Sequence, residues 1–118
     1  MSYVDGYVLA LPAKKLAAYK KMAKMGAKTW MKHGALEYRE CVGDDLAPQW
    51  GVPFGKMMKL KRGETVVFAW VTFKSRAHRD RVNAAVMKEL MNSDMDPADM
   101  PADMKRMVYG GFKTLVKG

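Results

Sequence analysis

The stretch Thr65-Val-Val-Phe-Ala-Trp-Val-Thr-Phe73 decides the fold, because it is the clearest strand in the sequence. Side chains alternate between the two faces of a strand, and in this stretch both faces are apolar. One face carries Val67, Ala69, Val71 and Phe73, and the other carries Val66, Phe68 and Trp70. Helices can cover only one of these faces, and large apolar patches are rarely left bare. The second face is therefore expected to meet another subunit, a ligand or a nucleic acid.

Three elements are predicted on the N-terminal side of this strand. Alternating side chains predict a first strand over residues 3–11. Apolar residues at helical spacing predict a long helix over residues 13–33, with Pro12 at its start and Gly34 as its cap. Alternation resumes in a second strand over residues 35–42.

The segment that joins the second strand to residues 65–73 is harder to assign. Residues 43–55 are predicted to form a loop, and residues 56–60 are predicted to resume a strand. A turn at Arg62-Gly63 then leads into the central strand.

A second helix and a last strand follow the central strand. Ser75 is a favourable N-cap for a helix that continues to about Asn92. Residues 93–103 are predicted to be irregular, because Pro97 and Pro101 interrupt them. The last strand is predicted over residues 106–116, with a bulge at Gly110-Gly111.

The order of elements is strand-helix-strand-strand-helix-strand, which predicts an α+β fold of the ferredoxin-like βαββαβ type. In that fold two helices pack on one face of a four-stranded antiparallel sheet. Neither a linker nor an internal repeat divides the chain, so residues 1–118 are expected to form one domain.

Composition narrows the classes of protein that the chain can be. Its 118 residues are 49% apolar and carry a net charge of +9, which suits a globular domain with a core. The longest apolar run, residues 66–71, is far shorter than the roughly 20 residues of a membrane-spanning helix. The N-terminal region has no early positive cluster, and Cys41 is the only cysteine. A cytoplasmic protein with no disulfide framework is expected.

Five runs of sequence carry a resemblance to a known family: Tyr3-Val-Asp-Gly6, His33-Gly-Ala-Leu-Glu-Tyr-Arg-Glu-Cys41, Glu64-Thr-Val-Val-Phe68, Lys74-Ser-Arg-Ala-His-Arg-Asp80 and Arg106-Met-Val-Tyr-Gly-Gly-Phe112. Together they span essentially the whole chain, which resembles the bacterial domain-of-unknown-function family numbered 1428. The resemblance implies a ferredoxin-like fold that pairs face to face into a dimeric α/β barrel. It implies no established activity, and no catalytic residue can be carried over from it.

A small-molecule pocket protein is the leading expectation for function, as a homodimer that could also act as a cofactor-independent enzyme. The candidate catalytic residues are His78, as acid or base, and Asp5, as the group that orients it or as a second base. Tyr38 and Arg106 are candidates to position an anionic or carbonyl substrate, and Trp70 to line an apolar wall. No phosphate-binding glycine loop is present, and the single cysteine excludes a cysteine-rich zinc site, so neither a cofactor nor a metal is expected.

For several side chains, a purely structural role is the alternative to a functional one. Asp5 and Glu40 are acids inside predicted strands. If Asp5 is buried, its carboxylate must have a hydrogen-bonding or charged partner. Glu40 is expected to be solvated at the edge of the sheet. Tyr38 shares a face with Glu40 and could donate a hydrogen bond within a pocket there. Cys41 is expected to be a small buried residue. The methionine series Met91, Met95, Met100, Met104 and Met107 is expected to provide adaptable packing rather than copper(I) ligands.

Two other classes of function remain open. In a binder of single-stranded RNA, Phe68 and Trp70 would stack on bases. Both occupy aromatic positions when the strand is aligned with the octamer motif of RNA-recognition domains. The octamer's basic residue and glycine are both valine here, and the lysines lie on the first helix, away from the open face. A structural or stress-associated dimer would need no pocket.

Overall fold

The computed structural model describes residues 2–93 and 100–118, and in them the chain forms the α+β fold that the sequence predicts. The strands are β1 (Tyr3–Pro12), β2 (Glu37–Val42), β3 (Glu64–Phe73) and β4 (Val108–Lys113), and the helices are α1 (Leu16–Lys32), α2 (Phe54–Met57) and α3 (Arg76–Met91). The sheet is antiparallel with strand order β2-β3-β1-β4, so its two central strands are β3 and β1. This is the ferredoxin-like arrangement.

The long elements begin and end close to where the sequence places them. The hydroxyl of Ser75 accepts the backbone N–H of His78 at 3.1 Å, which confirms this N-cap of α3. One turn of 3-10 helix, Ala13–Lys15, precedes α1, and Gly34 follows its end with φ +111°. None of the helices among the described residues is both long and apolar enough to cross a membrane.

One face of β3 packs against the two long helices. Val67 lies in a buried cluster beneath α1, together with Leu9, Leu11 and Tyr19. Val71 and Phe73 lie in a second cluster with α3, whose buried members are Val82 and Val86. These side chains form the main core of the fold.

The opposite face of β3 is half covered by the chain itself. The segment between β2 and β3 folds back over this face, where Met58 packs with Val8, Ala10 and Val66. The strand predicted over residues 56–60 is wrong, because Met57 N–H bonds to Pro53 O at 3.1 Å and closes the single turn of α2. Lys59 then has φ +51°, which ends regular structure after that turn.

Strand β4 runs in regular register along β1, so the bulge predicted at Gly110-Gly111 is wrong. Gly110 pairs with Gly6, and Gly111 pairs with Asp5. Gly111 serves close packing instead, because a side chain at this position would collide with the ring of Tyr3.

A buried charged cluster fastens the first half of α3 to the sheet. Asp5 of β1 is only 3% exposed and accepts hydrogen bonds from Arg79 Nη1 at 2.7 Å and Asn83 Nδ2 at 3.1 Å. The Arg79 guanidinium also lies over the ring of Tyr3 and bonds to Asp80 at the surface. The expectation that a buried Asp5 has a partner is confirmed.

Replacing Asp5 should be far more destabilising than replacing Asp80, although both carboxylates contact Arg79. We expect Asp5→Ala to lower the free energy of unfolding by about 3 kcal/mol, because it leaves a mostly buried guanidinium without its inner partner. The matched control Asp80→Ala removes an exposed partner and should cost less than about 1 kcal/mol. Urea denaturation measures the free energy of unfolding of both variants. An equal loss of stability in the two would contradict the role of this cluster.

Candidate functional site

A cleft of about 580 Å³ opens between α1, α3 and the sheet. Two side-chain contacts join the helices across it: Trp30 Nε1 donates to Asn83 Oδ1 at 3.1 Å, and Lys32 Nζ pairs with Glu89 at 2.6 Å. The lining is predominantly apolar, and it includes side chains from all four strands. A cleft of this size and character matches those that hold small molecules.

Glu40 supplies the carboxylate at one end of the cleft. Its Oε2 accepts a hydrogen bond from the Tyr38 hydroxyl at 2.5 Å, and its Oε1 accepts one from the Tyr19 hydroxyl. Gly26 allows α1 to lie close to this group, since a methyl group there would stand 3.1 Å from the Tyr38 hydroxyl. The two phenols hold the carboxylate in one orientation at the edge of an apolar space.

The tyrosines around Glu40 are held in their protonated form. Burial is the main cause that raises the pKa of both Tyr19 and Tyr38, and their hydrogen bonds to Glu40 raise it further. Burial, with the nearby charge of Asp5, raises the pKa of Tyr7 to about 12. At neutral pH these hydroxyls therefore act as hydrogen-bond donors.

Aromatic rings give the cleft its rigid surfaces. Tyr7 and Tyr109 stack with ring centroids 6.0 Å apart, and Trp30 packs on Tyr38 at 5.8 Å. The hydrogen bond from Trp30 to Asn83 fixes the indole, and Asn83 is itself held by Asp5. The buried cluster under α3 thus also positions an aromatic wall of the cleft.

The charge inside the cleft differs from the charge of the protein. Among the described lining residues there is no lysine, arginine or histidine, whereas Glu40 and Glu89 both contribute carboxylates. The charge of Glu89 is offset by Lys32 at 2.6 Å, and His33 hydrogen-bonds to the same carboxylate at 3.3 Å. Lys21, Lys24 and Lys28 of α1 are exposed on its outer side, as is Lys14 just before the helix. An anion is therefore attracted to the surface of this protein but not to the end of the cleft that Glu40 occupies.

Methionines make up much of the remaining wall. Those lining the cleft are Met22, Met25, Met87, Met100, Met104 and Met107. Three of them belong to the series that the sequence assigned to adaptable packing, and Met95 of that series lies outside the described residues.

The structure does not join the two candidate catalytic residues. The carboxylate of Asp5 is taken up by Arg79 and Asn83. His78 instead accepts the backbone N–H of Lys74 at its Nδ1, 3.0 Å away, and its ring packs edge-on against Phe73. Neither residue lines the cleft.

The three candidate substrate-binding residues also lie apart from one another. Tyr38 lines the cleft. Trp70 is on the opposite face of the sheet, where its Nε1 donates to Glu37 and Arg39 lies over its ring. Arg106 pairs with Glu64 at 2.8 Å and donates to the backbone carbonyls of Met58 and Lys59.

Glu40 is the site residue that the sequence undervalued, and Tyr19 is the one that it missed. The shared face of Tyr38 and Glu40 was the available signal, and the structure joins the two by a hydrogen bond. Tyr19 lies 21 positions before Glu40, so only the packing of α1 on β2 brings the two together. Cys41 is exposed, which contradicts its expected burial, because it is on the face of edge strand β2 that α1 does not cover.

Alkaline pH should destabilise the fold through these tyrosines. Folding raises the pKa of Tyr7, Tyr19 and Tyr38, so their contribution to stability is complete below the usual tyrosine pKa of about 10 and is lost progressively as the pH rises above it. We expect the free energy of unfolding to fall between about pH 9 and pH 11. Urea denaturation across this range tests it, with Tyr38→Phe expected to flatten the slope. A stability that stays constant over the range would contradict the assignment.

Comparison with known proteins identifies sequence relatives of this chain. Residues 2–104 match the family described as "Protein of unknown function (DUF1428)". Uncharacterized protein YbaA of Escherichia coli strain K12 is 37% identical over 116 residues, which cover 98% of both chains. The YbaA protein of Shigella flexneri is similar to the same extent.

Two solved structures share the fold at low sequence identity. A dimeric ferredoxin-like protein from an uncultured marine organism aligns with a TM-score of 0.57 and 13% identity over 100% of both chains. The de novo designed protein Foldit4 aligns with a TM-score of 0.50 and 9% identity, over 97% of this chain and 99% of its own. At such identities the likeness concerns the fold alone. The family match and the relatives together show that this chain belongs to the DUF1428 family.

Proposed function

We propose that this protein is a homodimer that binds a small amphipathic molecule in the cleft between its helices and its sheet. The observation that carries the proposal is the carboxylate of Glu40, oriented by Tyr19 and Tyr38 at the edge of an apolar space. A few polar groups within an apolar lining are the usual composition of a small-molecule site.

The chemistry of the cleft favours a ligand whose polar head is a cation or a neutral hydrogen-bond donor. Glu40 accepts hydrogen bonds, and a carboxylate has more acceptor sites than its two tyrosine partners use. The aromatic rings of Tyr38 and Trp30 lie nearby and would also attract a cation. The described lining offers an anion no lysine or arginine with which to pair.

Three probes with the same ring system and different charge test this preference. We expect naphthylmethylamine, a cation, and naphthylmethanol, a neutral donor, to bind more tightly than the anion naphthoate. Glu40→Gln should weaken binding of the amine about tenfold or more, because it removes a charge-assisted hydrogen bond of about 1.5–3 kcal/mol. Isothermal titration calorimetry measures all three affinities.

Glu37→Gln is the matched control for this experiment. Glu37 belongs to the same strand as Glu40 but lies on the opposite face, where it contacts Trp70. Its replacement should leave the affinity for the amine unchanged. The proposed site is refuted if naphthoate binds as tightly as the amine, or if both variants bind the amine like the parent protein.

The open half of the sheet supports the homodimer. Its exposed apolar side chains include Phe112, Val108 and Phe68, at 62%, 53% and 43% exposure. Apolar surface of this kind usually marks an interface, and the similar marine protein is described as dimeric. Pairing with a second copy accounts for this surface better than base stacking does, because Trp70 is already covered by Arg39 and bonded to Glu37.

Solution mass and its response to salt distinguish the dimer from an RNA-binding monomer. Light scattering should give about twice the 13.3 kDa of one chain. Phe112→Lys should give monomers, since it buries two like charges in the interface, whereas Met31→Lys on the outer side of α1 should leave the dimer intact. Added salt should strengthen the dimer by screening two chains of charge +9.

A monomer that binds RNA would contradict the proposed dimer. A monomer of 13.3 kDa whose affinity for single-stranded RNA falls steeply with salt would overturn the dimer in favour of nucleic-acid binding.

A further inference from the structure

The cleft has two kinds of wall, and they differ in stiffness. The surfaces on the sheet side are aromatic: Tyr7 stacks on Tyr109, and Tyr38 is fixed by both Glu40 and Trp30. Methionine lines the other surfaces, with Met22 and Met25 on α1, Met87 on α3, and Met100, Met104 and Met107 before β4.

Six thioether side chains from three separate segments around one cleft exceed what filling gaps in a core requires. Met22 and Met107 do pack against buried residues. Met25, Met87 and Met104, however, are each about half exposed and bury little in the protein itself. An unbranched side chain with three rotatable bonds can change its shape at low cost, and methionine is over-represented on surfaces that bind several partners.

Resting on the function proposed above, we propose that this cleft is a broad-specificity site, in which the methionines adapt to apolar bodies of different shape. Recognition is then divided between two regions. Glu40, Tyr19 and Tyr38 fix the position of one polar head, because hydrogen bonds to an oriented carboxylate demand a defined geometry. The methionine walls select for apolar character but not for a particular outline. The ligand class is therefore a set of amphipathic amines rather than one compound.

A panel of three primary amines with different bodies tests this inference. Naphthylmethylamine is flat, adamantylmethylamine is globular, and octylamine is linear and flexible. The affinities of the parent protein for the three should lie within about tenfold of one another, as measured by isothermal titration calorimetry.

The decisive variant replaces Met25, Met87 and Met104 together by leucine. Leucine has a similar volume but is branched and has fewer rotatable bonds, so the fold should tolerate these half-exposed changes while the cleft loses adaptability. We expect at least one of the amines to lose roughly tenfold in affinity relative to the others. The matched control carries the same three substitutions at Met31, Met57 and Met91, which are also exposed but do not line the cleft. It should bind all three amines as the parent protein does.

The outcomes separate this inference from the proposal on which it rests. If no amine binds, or if the amines bind equally well to Glu40→Gln, the site itself is refuted and the inference falls with it. If one amine binds in a Glu40-dependent manner and the others are rejected by more than about a hundredfold, the site stands and broad specificity is refuted. If all three bind and the leucine variant keeps the same spread, the role of the methionines is refuted.

Discussion

Strand β3 has apolar side chains on both of its faces, and the free energy of exposing either face to water constrains the whole molecule. The long helices cover the face that carries Val71 and Phe73. The segment around α2 covers part of the other face by burying Met58 against Val66. What remains uncovered is the exposed apolar surface around Phe68 and Phe112, on which the proposed homodimer rests. The cleft exists because α1 and α3 span the first face without closing over it.

The sequence was informative where periodicity runs over many residues. It predicted β3, α1, α3 and their order, because long alternating or helical patterns report directly which face is buried. It failed at α2, since a helix of four residues has no period to detect. It also misread Gly110-Gly111, because Gly111 packs against the ring of Tyr3, a neighbour more than a hundred positions away in the sequence.

The same limit applies to the candidate site. Asp5 and Glu40 look alike in the sequence, as acids inside strands, yet their surroundings differ completely. Asp5 bonds to Arg79 and becomes part of the scaffold, whereas Glu40 accepts hydrogen bonds from the hydroxyls of Tyr19 and Tyr38 and lines the cleft. The partner of each acid depends on where α1 and α3 pack across the sheet. A local sequence pattern does not predict where helices pack. The net charge of +9 was equally misleading about the cleft, because the lysines lie on the outer side of α1.

The two halves of α3 make different contacts with the rest of the fold. Its first two turns are tied to the sheet by the Asp5–Arg79–Asn83 cluster, whereas its last turns border the cleft and meet α1 through surface ion pairs of Glu89. Within the proposed site, the positions differ in what they contribute to folding: Tyr19 is part of the buried core, whereas Met87 is about half exposed. A lineage that inherits this scaffold can exchange residues such as Met87 at little cost in stability and so change the shape of the cleft. For the exposed part of the cleft wall, the capacity to evolve is separated from the requirement to fold.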